Sequence, residues 1–219
     1  MLLRELQSLL ADSYRLDVGA DVAHFLITDR LQVKEMLGQE NTVPDEMLFI
    51  HESNGELNLS LFLDDGLLRR LIAADPIASL NATNLDDFCC VLEGVSHFVY
   101  MVWNARNQRR ITKLELEIQA EIDKYMTVRL LIEAQHDAAL QATELPRRLF
   151  DAVVFNNELE ANELARYRCA NNYALRFCDG LQERYPGAHR SPRLLEELRS
   201  FYRMPQADKM SHIHAAQFA

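Results

Sequence analysis

The segment NLDDFCCVLEGVSHFVYMVWN, residues 84–104, decides the fold. It is apolar almost throughout and reads as one long helix running to about Asn104. Asn84 can cap its start, and Asp86 and Asp87 suit the positive end of the helix dipole. From this point onward no β pattern returns. A basic connector, RNQRR (106–110), leads into the longest helical pattern, ITKLELEIQAEIDKYMTVRLLIEAQ (111–135). A shorter helical pattern follows at 144–155, starting near Pro146, and another long one at 158–185, ending at Gly180 or continuing to Tyr185. In SPRLLEELRSFYRM (191–204), Ser191 stands at the N-cap and Pro192 at the first helical position.

Upstream the pattern changes. LLRELQSLLADSY (2–14) is an amphipathic helix, AHFLITD (23–29) suits a strand, and RLQVKEML (30–37) suits a helical turn or two. In MLFIHESNGELNLSLFL (47–63), two alternating runs flank Asn54-Gly55, the pair suited to a type I′ hairpin turn with positive φ at both positions. DDGLLRRLIAAD (64–75) reads as a short helix ended near Pro76. The expected fold is therefore α+β and predominantly helical. Residues 1–80 form a small part whose β-hairpin, with strands near 47–52 and 56–63, packs on helices, and residues 81–219 form a helical bundle.

Scarce Gly and Pro (7 and 6 in 219 residues) favour long helices over turn-rich β structure. A chain of this size can bury roughly 70% of its unfolded surface without disulfide staples. Cys89, Cys90, Cys169 and Cys178 fall in helical segments without C-x-x-C spacing, which suggests a reducing compartment. MLLRELQSLL lacks the basic start and continuous apolar core of a signal peptide, and no apolar run is long enough for a membrane span. Cytoplasmic is the expected location. The formal net charge is −10 and uneven: residues 1–100 hold 6 Lys and Arg against 17 Asp and Glu. That acidity disfavours nucleic acid as a partner and suits a basic protein partner. A homo-oligomer is compatible with the pattern.

Chemistry must come from oddly placed polar residues. Asp86, Glu93, His97, Tyr100 and Asn104 fall on one stripe of the 84–104 helix. That stripe is either the helix's wet edge or the lining of an inward polar site. Glu121 lies within the apolar face of the 111–135 helix, with Glu117 flanking it, and Glu163 lies among the inner-face residues of 158–185. Unpaired, each carboxylate would cost several kcal/mol to bury, so each needs a cation, a proton or a metal. Arg166, beside that inner face, can fork onto a neighbouring carboxylate.

Glu93, His97, Glu121 and Glu163 thus form a candidate metal set, and with Arg166 a candidate ligand set. Carboxylates and imidazole projected from facing helices are how Fe and Mn bundle sites are built, and Zn takes the same donors. The spacing departs from that pattern, since the only Glu-x-x-His is Glu133–His136, about 18 Å along the helix from Glu121. Weaker candidates are the basic cluster Arg106, Arg109, Arg110 and Lys113 as a phosphate site, and His212 with His214 as chelators, against a floppy terminus. Cys90 or Cys169 as a nucleophile lacks a supporting motif.

Two functions compete. One is an intracellular acidic adaptor or accessory protein-interaction module that needs no cofactor. The other is a bundle enzyme or sensor binding Fe, Mn, Zn or a small ligand through carboxylate and histidine side chains.

Overall fold

The computed structural model describes residues 2–38, 42–135, 145–151, 160–186 and 191–215. The fold is α+β and predominantly helical, with a three-stranded mixed sheet. Helix α1 (Leu2–Tyr14) buries Leu3, Leu6, Leu10 and Tyr14 on one face. The strand expected over 23–29 is only β1 (Leu26–Ile27), because Val22–Phe25 winds into a 3₁₀ turn capped by the Asp21 side chain on the Ala23 amide. Helix α2 (Arg30–Leu37) follows, capped by Asp29.

Strands β2 (Glu46–Ser53) and β3 (Glu56–Leu63) form the expected hairpin, with φ of 54° at Asn54 and 79° at Gly55. β3 is central, antiparallel to β2 and parallel to β1. Both of its faces are covered. Leu61 and Leu63 enter the main core, while Phe62, on the opposite face, joins Val33 and Val43 in a second small core with α2.

Helix α3 (Asp65–Ala73) leads into α4 (Leu85–Arg106), which packs on β2, β3 and α1. Asn84 does not cap α4 with its side chain; it sits in the αR region and instead binds the Ala74 and Ser79 carbonyls and the Asn81 amide. Gly94 permits the close approach of sheet and helix: a Cβ there would lie 2.8 Å from Glu46 Cγ and 2.9 Å from Leu61 Cδ1.

Helix α5 (Lys113–Gln135) packs between α4 and α6 (Ala161–Arg184). It therefore has no single wet face: Glu115, Glu117, Gln119, Asp123 and Arg129 are all buried. Where the sequence suggested a helix over 144–155, residues 145–146 are helical and a short π turn occupies Arg147–Asp151; residues 144 and 152–155, and His136, lie outside the described residues. α6 runs through Gly180 to Arg184. Ser191 caps α7 (Pro192–Arg203) by accepting from the Leu194 amide, with Pro192 in the first turn. The terminus is not floppy over 206–215: it forms α8 (Gln206–Ala215), whose Lys209 and Ile213 are buried. All four cysteines are free thiols, and among the described residues no helix is long and apolar enough to cross a membrane.

Candidate functional site

The polar stripe of α4 divides in two. Glu93 and His97, one turn apart, point to the side where β2 and α6 approach. Ser96 and Tyr100, also one turn apart, point toward α1 and α8. Asn104 bonds back to the Tyr100 carbonyl at 2.8 Å, and Asp86 remains exposed. The next helix divides the same way: Glu117, Glu121 and Lys124 face the first side, Glu115, Gln119 and Asp123 the second.

On the first side, His97 is 6% exposed and lies between two carboxylates. Its Nδ1 is 3.3 Å from Glu46 Oε1, and its Nε2 is 3.5 Å from Glu117 Oε2 without making a hydrogen bond. One ligand atom from each of Glu46, Glu93 and His97 lies within 4.8 Å of the others. Lys124 Nζ bridges Glu93 Oε2 and Glu121 Oε1, each at 2.8 Å. Arg166 stands 3.7 Å from Glu117 Oε1 and 3.5 Å from Glu163 Oε1, and lies over the Tyr167 ring.

Five acidic side chains from β2, α4, α5 and α6 are thereby joined to three basic ones. Of the residues singled out in the sequence, Glu93, His97, Glu121 and Arg166 belong to this cluster, and Glu163 touches only its outer edge at Arg166. Glu121 reaches Lys124, not His97. Glu46 and Lys124 had no sequence signature of their own, although Lys124 follows Glu121 at the helical spacing that lets them pair.

Burial and charge pull against each other here. Burial alone would lower the His97 pKa, yet Glu117 and Glu46 hold it well above the ordinary imidazole value. Burial raises the Glu46 carboxyl, and His97 only partly reverses that. Glu93 is held low in spite of burial, by Lys124 and His97. Lys124 is likewise held well above the usual lysine range by Glu121 and Glu93.

The second side is a different polar core. Asp123, buried, accepts from Tyr14 Oη at 2.5 Å, Ser96 Oγ at 2.6 Å and Gln119 Nε2 at 2.9 Å. Burial raises its pKa despite these donors. Tyr100 donates to Glu115 at 2.6 Å, and Arg109 approaches Glu115 at 3.7 Å. Lys209, 0% exposed, donates to Gln119 Oε1 at 2.7 Å and lies over the rings of Tyr100, Phe201 and Tyr202, at 5.2, 4.4 and 5.9 Å from their centroids. Cation–π contact contributes about 2 kcal/mol when desolvated, less than the several kcal/mol that burying an ammonium costs. Burial thus pulls the Lys209 pKa down to about 7, against the more distant Glu115 and Asp123.

The weaker candidates are largely engaged elsewhere. Arg106 pairs with Asp17, and Arg109 lies over Trp103 as well as near Glu115. His212 and His214 do not converge as chelators: His212 approaches Glu197 at 3.5 Å and His214 approaches Tyr173 Oη at 3.3 Å. Burial raises the Cys90 thiol above its ordinary value, which disfavours the nucleophilic thiolate.

Fold and site together describe a predominantly helical α+β protein carrying a buried carboxylate–histidine cluster beside its sheet. Comparisons with protein families, with curated proteins and with solved structures find no match.

Proposed function

We propose that this protein binds one divalent transition metal at Glu46, Glu93 and His97. The carrying observation is the mutual approach of three ligand atoms, within 4.8 Å, at a histidine that is almost wholly buried. Two carboxylates and one imidazole, which gives up its proton to the ion's coordination, suit Mn, Fe or Zn. The separations leave room for an ion at about 2.0–2.2 Å from each donor after small side-chain rotations. Lys124 and Arg166 support this reading as second-layer cations: they orient Glu93 and Glu117 and limit the repulsion among five carboxylates.

The test is metal analysis of untagged protein, followed by Co(II) titration monitored by visible absorption. One equivalent bound, with affinity falling 10–100-fold or more in His97→Ala and Glu46→Gln, is the expected result. Equal Co(II) binding by wild type and both variants would sink the proposal. The adaptor reading draws on the acidity of residues 1–100, to which Glu46 and Glu93 themselves contribute.

A further inference from the structure

A fully buried lysine with no carboxylate in contact among the described residues belongs to the last described helix. Among the described residues, Lys209 forms no ion pair; its amine donates to the neutral Gln119 amide oxygen, and three aromatic rings close around it. The titratable and charged groups facing it are Glu115 and Asp123 from α5, Arg109 from the α4–α5 connection, Tyr100 from α4 and Tyr202 from α7. Tyr14 of α1 reaches the same network through Asp123. Lys209 and Ile213 are the two buried side chains of α8, so the state of that amine bears on how the helix seats.

We infer that α8 is a proton-gated latch, seated while the Lys209 amine is neutral and loosened when it takes a proton. Release of α8 uncovers Gln119 of α5, Tyr100 of α4 and Tyr202 of α7. This inference does not depend on the metal reading, because Lys209 touches none of the proposed ligands.

The sign follows from linkage. The seated amine binds its proton less readily than the released, hydrated one. Between about pH 7 and the ordinary lysine pKa of about 10.4, the released state therefore holds more protons, and seating strengthens as pH rises. Below about 7 both states are protonated and the dependence levels off.

Hydrogen exchange of the 206–215 amides in the full chain, from pH 6 to 9 and corrected for intrinsic rates, tests this. The opening constant should rise about tenfold per unit as pH falls from 9 toward 7, then flatten, as one linked proton requires. Lys209→Met should remove that dependence, whereas His212→Asn should retain it. A flat wild-type profile, an unchanged profile in Lys209→Met, or loss of the response in His212→Asn, which would assign it to the His212–Glu197 contact, would each overturn the latch. The wild-type and His212→Asn measurements decide the matter even if Lys209→Met fails to fold.

Discussion

Lys124, on α5, and Lys209, packed against α5 from α8, are both largely withdrawn from water, and the protein treats them in opposite ways. Lys124 holds two carboxylates at 2.8 Å, and its charge is locked in. Lys209 has a neutral acceptor and aromatic faces, and burial drives it toward the uncharged form. The residue type and depth are similar; the difference is whether an opposite charge lies in contact. At Lys124 contact pairing outweighs desolvation in setting the protonation state, whereas at Lys209 diffuse attraction from carboxylates farther away does not.

The largest expected effect would break this contrast or secure it. Lys124→Met strands Glu93 and Glu121, so it should cost about 3 kcal/mol, a fall in Tm of very roughly 10 °C. The same change at Lys209 leaves no charge stranded in contact and should stay within about 1 kcal/mol of wild type. Thermal melts of the two variants side by side measure this; equal losses would erase the distinction.

Next in size, Gly94→Ala should destabilise by about 2 kcal/mol through overpacking. Its new Cβ meets Glu46 and Leu61, so the carboxylate moves away from His97 and Co(II) affinity should fall as well. A variant with wild-type melting and affinity would show that this approach tolerates a methyl group.

A smaller effect concerns pH. Chemical denaturation at pH 7 and 8 should show wild type gaining about 1 kcal/mol relative to Lys209→Met over that unit, because only wild type sheds the linked proton. A parallel response in the two proteins would place the Lys209 titration elsewhere. Least affected should be Glu163→Gln. The Glu163 side chain is 40% exposed and pairs only at the cluster's edge, so a change under about 0.5 kcal/mol and unaltered Co(II) binding are expected.

Much of the fold was legible because its determinants are local. Asn54-Gly55 requires the hairpin turn, Ser191-Pro192 starts α7, and Pro76 follows α3. The failures are also physical. Residues 23–29 alternate too weakly to resist the Asp21-capped 3₁₀ turn, and Asn84 found better partners in the preceding loop than at the head of α4. Residues 206–215 carry little helical amphipathicity, so their folding was invisible without the pocket that receives Lys209.

The candidate site was half legible. Glu93–His97 spacing and acids on apolar faces marked α4 and α5 as unusual, since polar groups in such faces require partners. Their assignment to separate clusters could not be read, because adjacent residues on a helix differ by about 100° and both flanks of α4 turned out to be buried.

Local pattern and turn chemistry thus established the helices, the hairpin and the need for compensated buried charge. Chain topology settled which charges meet: Glu46 reaches His97 from a strand 51 positions earlier, and Lys209 reaches Gln119 across 90. Such encounters depend on how helices and sheet pack in three dimensions, and no periodicity along the chain encodes them.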